Sequence, residues 1–428
     1  MPTAAPRRRI LVSSFACSPI VGSEPGIGWR WSTELGRNFD VTVVTHGYYR
    51  KEIEAALAAR PMPHVRFEWF TVPGVGGHPH RQLNSRLYYW LWQLTVRRKV
   101  RGLLASGRHD LVHHLTWGTY RFPSFLGGLG VPLVMGPVGG GEGAPARLYR
   151  SWPWREKAFY RLRELSIAVS RWDPFVLWTM SHAACILTKT RETRNALPWF
   201  ARRRAVEASE IGVGPLPPAA PRVASPDEPL RLLYAGRLIG GKGLPYVLLA
   251  LQVLARRGIR AQLTVAGNGR LRGWVHAQVM QRGLADRVSL LDEVPRERMA
   301  SLYEASDVLA FPSWHDSSGN VVTEALSRGV PVVCLDIGGP RYAVDERCAV
   351  IVATQGLDET GLAEAFADGL ERLHRDRALV ARLSGGALAR AAEMTWSHQV
   401  DHAYRLIAGR LGWSSPAPAP TTLETQPT

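Results

Sequence analysis

Short runs of apolar and β-branched residues alternate with longer amphipathic stretches along most of the chain, a pattern typical of parallel α/β proteins. In the first half these runs, each followed by a turn rich in Gly, Pro or polar residues, span 8–16, 40–47, 64–72, 110–115, 131–137 and 182–190. In the second half they span 230–236, 261–267, 287–294, 308–313, 331–336 and 349–353. The alternation predicts two doubly wound parallel sheets.

The boundaries of the two halves follow from composition. Residues 1–212 are predicted to form a Rossmann-like N-terminal domain and 230–395 a Rossmann-like C-terminal domain, because the Pro- and Ala-rich stretch 213–229 between them has no helical period. A further helix is expected at 396–413, packing back on the N-terminal domain. The tail, 414–428, lacks core-forming residues and is expected to be disordered.

Four cysteines are widely spaced, without a C-x-x-C pair, and Cys185 and Cys334 lie in strand-like runs. This usage predicts a reducing compartment without disulfides or structural zinc. The basic N-terminus leads into no apolar signal core, and no apolar stretch approaches the roughly 18 residues of a spanning helix. We therefore expect a cytoplasmic protein.

The net charge of +17 is unevenly distributed. Residues 1–213 carry 30 basic and 14 acidic side chains, and the remainder carries 23 and 22. Residues 1–213 also contain 11 of the 15 tryptophans. Segments 86–104 and 148–165 interleave Trp and Tyr with Arg and Lys at near-helical spacing. The first half is therefore expected to face an anionic, partly apolar partner such as a lipid headgroup surface. An arginine-rich composition and ordinary helix packing are the alternatives.

Two cations follow the first strand of the second half. Arg237 and Lys242 lie five residues apart on a glycine-containing loop, at the strand end where open α/β sheets bind ligands. They could neutralise a diphosphate without a metal. The alternative is a pair of solvated loop cations.

A polar loop with Asp316 and Gly319 then precedes a predicted helix that opens near Asn320 and contains Glu324. Amide groups at a helix start can receive phosphate oxygens, and two carboxylates suit a polyhydroxylated ligand. The alternative is a helix cap with a surface charge.

Taken together, G-R-x4-K-G from Gly236 and F-P-S-x2-D-x7-E-A from Phe311 resemble the donor-site signature of glycosyltransferase family 4, retaining enzymes of bacterial cell-surface polysaccharide and glycoconjugate type. The segments VAGNGRLR and LDIGGPRY resemble two further loops of that family. The resemblance implies the GT-B fold, two Rossmann-like doubly wound parallel-sheet domains facing a cleft.

The resemblance also implies roles for individual residues. Arg237 and Lys242 would hold the donor diphosphate, Glu324 would bind ribose, and Asp316 takes the place of the usual Glu beside the transferred sugar. The Asp is a departure from the family. The other implied donor contacts are Gly22, Gly236, Gly267, Asn268, Ser318, Gly319, Asn320 and Val321.

Acceptor-side candidates lie in the first half. His113 and His114 lie at the end of a predicted strand. Because neighbouring residues in a strand point to opposite faces, only one of them can reach the site. The resemblance places an imidazole near the transferred sugar. The alternative is a buried structural imidazole. Further acceptor candidates are Glu24 in a glycine-containing strand-to-helix turn, and Gly140, Gly141 and Glu142, whose alternative reading is a flexible turn.

The resemblance therefore implies transfer of a hexose from a UDP- or GDP-linked sugar to a lipid-linked or saccharide acceptor, with retention and without metal or cofactor, at the cytoplasmic face of the inner membrane. A sugar-nucleotide epimerase of the same fold and a transferase with a small-molecule acceptor are the alternatives. Nothing resembles the pyridoxal-phosphate lysine segment of a glycogen-type phosphorylase. No nucleic-acid-binding motif accompanies the positive charge.

Overall fold

A computed structural model describes residues 7–75, 85–216, 220–221 and 227–414. The first sheet has seven parallel strands in the order β3-β2-β1-β4-β5-β6-β7. They are β1 (Arg9–Ser14), β2 (Asp40–His46), β3 (Val65–Phe70), β4 (Leu111–Thr116), β5 (Leu133–Val138), β6 (Ala183–Thr188) and β7 (Ala205–Glu207).

The second sheet has six parallel strands in the order β10-β9-β8-β11-β12-β13. They are β8 (Leu230–Ala235), β9 (Ala261–Ala266), β10 (Val288–Leu291), β11 (Val308–Ala310), β12 (Val332–Leu335) and β13 (Ala349–Val352). The central strands of both sheets are buried along nearly their whole length, as expected where helices cover both faces.

Helices connect the strands. In the first half they are α1 (Ser23–Leu35), α2 (Arg50–Ala59), α3 (Ser85–Ser106), α4 (Trp154–Ser170), α5 (Pro174–His182) and α6 (Arg191–Ala196). In the second half they are α7 (Leu244–Arg256), α8 (Arg272–Gln281), α9 (Arg296–Glu304), α10 (Asn320–Leu326), α11 (Pro340–Ala343), α12 (Glu359–Arg375), α13 (Arg377–Glu393) and α14 (Trp396–Leu411).

Both sheets are doubly wound, which confirms the predicted fold class. The direction of winding reverses between β1 and β4 in one sheet and between β8 and β11 in the other. Ligands of such sheets bind beyond the carboxyl ends of the strands at this switch point. All twelve predicted strands are present, whereas the edge strand β7, with the sequence AVE and one fully buried residue, was not predicted.

The chain clusters into two compact units. Of the described residues, the first contains those up to Gly141, Ser166–Ile211 and 396–414, and the second contains those of Glu142–Leu165 and Gly212–Thr395. The predicted N-terminal domain, residues 1–212, therefore differs from the first unit, because residues 142–165 cluster with the second unit. Parts of the predicted linker (217–219 and 222–226) and of the predicted tail (415–428) lie outside the described residues.

Large aromatic side chains explain why residues 142–165 belong to the second unit. Tyr149, Trp152 and Tyr160 are buried in the same core as the strands of the second sheet. The ring of Trp314, which follows β11, lies 4.6 Å from that of Tyr160 and 6.1 Å from that of Trp152, centroid to centroid. Burying three such rings contributes several kcal/mol of hydrophobic free energy, enough to fix the segment on this unit.

Helix α14 completes the first unit. Its apolar face, including Val400, Tyr404 and Ile407, is buried in a core that also contains Trp31. All four cysteines are buried and unbridged. Within the described residues, no helix has the length and apolar character needed to cross a bilayer.

Candidate functional site

In the second unit, the predicted cations lie at the switch point of the sheet. Beyond β8 the chain passes Gly236 and Arg237, forms a 3-10 turn at Gly240–Lys242 and enters α7 through Gly243. Gly243 has φ +83°, and a Cβ there would lie 2.1 Å from the carbonyl oxygen of Pro312, so only glycine allows this approach of the loop to the segment after β11. Arg237 is exposed.

Lys242 and Asp316, predicted separately, form an ion pair. Lys242 Nζ lies 2.5 Å from Asp316 Oδ2, and the two side chains are 13% and 17% exposed. Burial acts to raise the pKa of Asp316, but the charge and hydrogen bond of Lys242, together with amide hydrogen bonds, outweigh it and lower that pKa. The carboxyl group is therefore ionised at neutral pH and holds the ammonium group at the loop.

The departure from Glu at position 316 has a structural consequence. Asp316 Oδ1 accepts from the backbone N–H groups of Ser318 and Gly319 at 3.3 and 3.1 Å. A short Asp side chain makes such bonds to the amides two and three residues ahead. The amide of Gly319, which the resemblance assigned to phosphate, is thus already occupied by Asp316.

The remaining candidates of this segment lie where the prediction placed them. Helix α10 begins at Asn320, which is exposed, and Val321 is half-buried. Glu324 is exposed, and its Oε2 accepts a hydrogen bond from the buried hydroxyl of Tyr303 at 2.9 Å. Tyr303 therefore orients the carboxylate assigned to ribose.

Gly267 and Asn268 lie beside the Arg237 loop. A Cβ at Gly267 would lie 2.1 Å from the carbonyl oxygen of Gly236, and the amide of Leu238 donates to the carbonyl of Asn268 at 2.9 Å. Next to them opens a cavity of about 490 Å³, within the size range of small-molecule sites. Its lining is largely apolar, with the charged and polar groups Arg272, His276 and Asp292.

His315 was missed by the sequence reasoning although it precedes Asp316. Its amide donates to the carbonyl of Gly241 at 3.0 Å, and its Nδ1 lies 3.4 Å from the hydroxyl of Tyr160. Burial, followed by the charges of Arg163 and Lys242, lowers the pKa of His315 to about 3. A neutral imidazole therefore borders the turn that carries Lys242.

In the first unit, Glu24 lies at the switch point between β1 and β4. Its Oε1 accepts from the amide of Gly118 at 2.7 Å. Gly118 packs against a buried ion pair that the sequence reasoning missed, Lys189 Nζ to Glu210 Oε2 at 2.5 Å. Burial raises the pKa of Glu24 to about 7, against the opposing effects of the Gly118 hydrogen bond and the Lys189 charge. A carboxyl group with this pKa can exchange a proton at neutral pH.

His113 has a structural role in this unit. It is fully buried; its Nε2 lies 2.6 Å from the carbonyl oxygen of Gly136 and its Nδ1 2.9 Å from the hydroxyl of Tyr404. Because a carbonyl only accepts, Nε2 carries the proton and Nδ1 accepts from Tyr404. Burial lowers the pKa of His113 to about 4. Both nitrogens are engaged within the unit, which matches the structural alternative rather than the predicted site role.

His114 is also fully buried, with its Nε2 3.2 Å from the hydroxyl of Tyr89. Burial and the neighbouring His113 lower the pKa of His114 to about 3, so the ring is neutral. Its contacts are with the core that contains Tyr89 and Trp92.

Three glycines of the first half were predicted to contact the donor or the acceptor. Gly22 is exposed immediately before α1. A Cβ at Gly140 (φ +102°) would lie 2.6 Å from the Thr119 hydroxyl oxygen, and one at Gly141 would lie 2.5 Å from Cα of Thr193. Close packing within the unit thus accounts for the last two.

Glu142, predicted on the acceptor side, is buried beside an arginine. It clusters with the second unit and is 2% exposed. Its Oε2 lies 3.8 Å from Nη2 of the buried Arg163, which also donates to the Glu142 carbonyl. A buried carboxylate requires such a partner, so its position is explained by this pairing and not by acceptor hydroxyls.

Two Rossmann-like parallel sheets with these switch points define the GT-B fold, and comparison with solved structures gives the same result. The chain is similar to sucrose-phosphate synthase from Thermosynechococcus elongatus (TM-score 0.59, 17% identity, 95% of this chain and 100% of that one). It is also similar to HepE of Anabaena, solved with UDP and glucose (TM-score 0.54, 16% identity, 95% of this chain and 100% of that one).

Part of the chain is similar in sequence to known glycosyltransferases. Residues 219–388 match the family model described as glycosyl transferases group 1. The chain is 35% identical over 191 residues to the D-inositol 3-phosphate glycosyltransferase of Stackebrandtia nassauensis, an alignment that covers 42% of each chain. The chain thus spans about two fifths of that relative's length.

The pKa of Glu24 generates a prediction about stability. An acid whose folded-state pKa is raised stabilises the fold fully below its unfolded pKa of about 4.3, and this contribution is lost as the pH rises through about 7. Glu24→Gln, which can still accept from Gly118, should therefore gain stability relative to wild type between pH 5 and 8, by at most about 3 kcal/mol.

Melting temperatures at several pH values measure this difference. Glu54→Gln, which removes an exposed carboxylate paired with Arg50, is the control and should change little over the same range. Parallel melting-temperature profiles for wild type and Glu24→Gln would contradict the raised pKa.

Proposed function

We propose that this chain is a retaining, sugar-nucleotide-dependent glycosyltransferase that moves a hexose from a UDP- or GDP-linked donor. The observation that carries the proposal is the location of Arg237 and Lys242 at the switch point of the second sheet, where Leu238 of the same loop lines a cavity of about 490 Å³. The match of residues 219–388 to the glycosyl transferases group 1 model supports the same reading.

The donor fits this arrangement in parts. The cavity beside Gly267 has the size and the apolar lining that a nucleoside needs. For the diphosphate, Arg237 supplies an exposed positive charge and Lys242 supplies an ammonium group that is shared with Asp316. Glu324, oriented by Tyr303, accepts from ribose hydroxyls. The binding of UDP by the structurally similar HepE is consistent with a donor of this class.

Charge neutralisation explains how the bond to the sugar would break. The departing diphosphate gains negative charge in the transition state, where fixed cations stabilise it more than they stabilise the bound donor. Because two side chains supply this charge, we expect transfer without a metal ion. In front-face retention, the departing diphosphate oxygen takes the proton of the attacking acceptor hydroxyl.

The acceptor side is proposed to include Glu24, whose carboxyl group can accept from a hydroxyl or give up a proton near pH 7. A lipid-linked or saccharide acceptor in cell-surface polysaccharide or glycoconjugate synthesis fits the positively charged first half of the chain. A small-molecule acceptor and a GT-B epimerase are the competing functions.

Substitution of the two cations tests the donor site. Release of UDP, GDP or ADP from a panel of nucleotide sugars, measured with an excess of chelator, should persist in wild type and fall about 100-fold or more in Arg237→Ala and in Lys242→Ala. Retention of the anomeric configuration in the product separates transfer from epimerisation, which would return an altered nucleotide sugar.

The control is Arg256→Ala, which removes an exposed arginine of the same unit that pairs with Glu364. It should leave the rate unchanged. Equal rates in wild type and in the two loop variants would refute the donor site, and loss of wild-type activity with chelator would refute the metal-free mechanism.

Helix α4 is the element that best supports contact with a membrane surface. Its outward face exposes Trp154, Leu162, Leu165 and Val169, which are 57% to 71% accessible, and Arg161 lies beside them. Large apolar side chains flanked by arginine are typical of helices that lie in the headgroup region. We propose that this face contacts anionic lipid. The predicted segment 86–104, by contrast, buries Tyr88, Tyr89 and Trp92 in the first unit's core, and its Trp90 is half-buried.

Co-sedimentation with vesicles tests this contact. Wild type should bind vesicles rich in phosphatidylglycerol, less at high salt, and a Leu162→Ala, Leu165→Ala double variant and Arg161→Glu should bind several-fold less. The charge-matched control for Arg161→Glu is Arg108→Glu, which changes an 89% exposed arginine in the loop between α3 and β4. Absence of wild-type binding, or an equal loss in the control, would contradict the proposal.

A further inference from the structure

The turn that carries Lys242 is held by a helix from a distant part of the chain. Helix α4 begins about 85 residues before the turn in the sequence. The part of the helix up to Leu165 belongs to the second unit, as does the turn. The face opposite Trp154 and Leu162 is directed inward and carries Glu156 and Tyr160, which are buried.

Two consecutive backbone amides of the turn are bound by these side chains. The Gly240 amide donates to Glu156 Oε2 at 3.1 Å, and the Gly241 amide donates to the hydroxyl oxygen of Tyr160 at 2.7 Å. The approach is so close that a Cβ at Gly240 would lie 2.2 Å from the ring of Trp152. Both glycines of the turn therefore lie in close contact with α4 or the residues just before it.

Glu156 is itself fixed from a second direction. It is 2% exposed and forms a bidentate pair with Arg270, in which the Nη2 to Oε2 distance is 2.9 Å. The guanidinium carbon of Arg270 lies 4.6 Å from the ring centroid of Phe159 on the same helix. A carboxylate buried to this degree is held in one position by its partners, so it is a rigid acceptor for the Gly240 amide.

The opposite side of the turn is bound to the segment that carries Asp316. The carbonyl of Gly241 accepts from the amides of Trp314 and His315 at 3.1 and 3.0 Å. The Gly241 residue thus connects helix α4, through its amide, to the segment after β11, through its carbonyl. The next residue is Lys242, whose ammonium group reaches Asp316.

From these contacts we infer that Glu156 and Tyr160 are positioning residues of the donor site: they fix the Gly240–Gly241 backbone and thereby place the ammonium group of Lys242 where a donor diphosphate binds. The inference rests on the proposed function. It assigns a role in donor binding to a helix that contains none of the residues of the donor signature.

The test removes one hydroxyl group. Tyr160→Phe deletes the acceptor of the Gly241 amide and keeps the ring that packs on Trp314. Tyr246→Phe is the matched control, since it deletes a buried hydroxyl that donates to the Leu148 carbonyl at 2.7 Å elsewhere in the same core. Both variants lose a buried hydroxyl group and its short hydrogen bond, and Tyr160→Phe also loses the longer contact with His315, but only the Tyr160 hydroxyl binds the turn.

Two readouts are combined. Hydrogen–deuterium exchange of the intact protein should increase at 238–243 in Tyr160→Phe and not in Tyr246→Phe. Calorimetric titration with UDP and GDP should show affinity for the preferred nucleotide reduced about three- to tenfold in Tyr160→Phe alone, the range expected for one hydrogen bond. The two substitutions Tyr160→Phe and Lys242→Ala should be non-additive, because the hydroxyl acts through the lysine.

The outcomes separate this inference from the proposed function. Faster exchange with unchanged nucleotide affinity, unchanged exchange, additive losses, or an equal loss of affinity in Tyr246→Phe would each overturn it. A wild-type protein that binds neither nucleotide would instead refute the proposed function, even if the exchange result showed that α4 holds the turn. Loosening of the turn with a selective, non-additive loss of affinity would support the inference.

Discussion

The second unit depends on how the turn at Gly240–Lys242 is held at the carboxyl end of β8. Its amides are bound by side chains of α4, its carbonyl at Gly241 by amides after β11, and its exit at Gly243 requires a left-handed glycine. Each contact is short and buried, so the backbone that carries Lys242 is held by side chains of α4 and by backbone groups of the segment after β11. A cation held in this way need not reorganise when a diphosphate arrives, which is the condition for effective electrostatic stabilisation.

The pairing of Lys242 with Asp316 gives this site its electrostatic character. The ammonium group of Lys242 is paired with a carboxylate oxygen 2.5 Å away, and the same carboxylate accepts from the amides of Ser318 and Gly319 in its own loop. The exposed Arg237 is the cation that remains open to a ligand. Asp316, where the resemblance leads one to expect Glu, therefore fixes the conformation of its loop. The proposed donor would meet one exposed cation and one that is already paired.

The fold and the location of the donor candidates could be predicted because both depend on local sequence. Strands of four to seven residues leave a pattern of β-branched residues, and loops after β8 and β11 must meet when the strands are neighbours. What could not be predicted depends on contacts between distant segments. The spacing of Glu156 and Tyr160 indicates that they lie on the face of the helix opposite Trp154 and Leu162. The spacing does not show which residues that inward face contacts. Burial of His113, Glu142 and the Lys189–Glu210 pair likewise follows from packing that no single segment encodes.

The central claim is that the second unit binds a nucleoside diphosphate through its two loop cations. Calorimetric titration of the wild-type protein with UDP, GDP and the corresponding nucleosides, at low salt and with a chelator present, tests it most directly. We expect one saturable site for at least one diphosphate and at least about 100-fold weaker binding of its nucleoside, since charge-assisted bonds to the phosphates would be missing. Equal binding of nucleoside and diphosphate, or no saturable binding of either diphosphate, would contradict it.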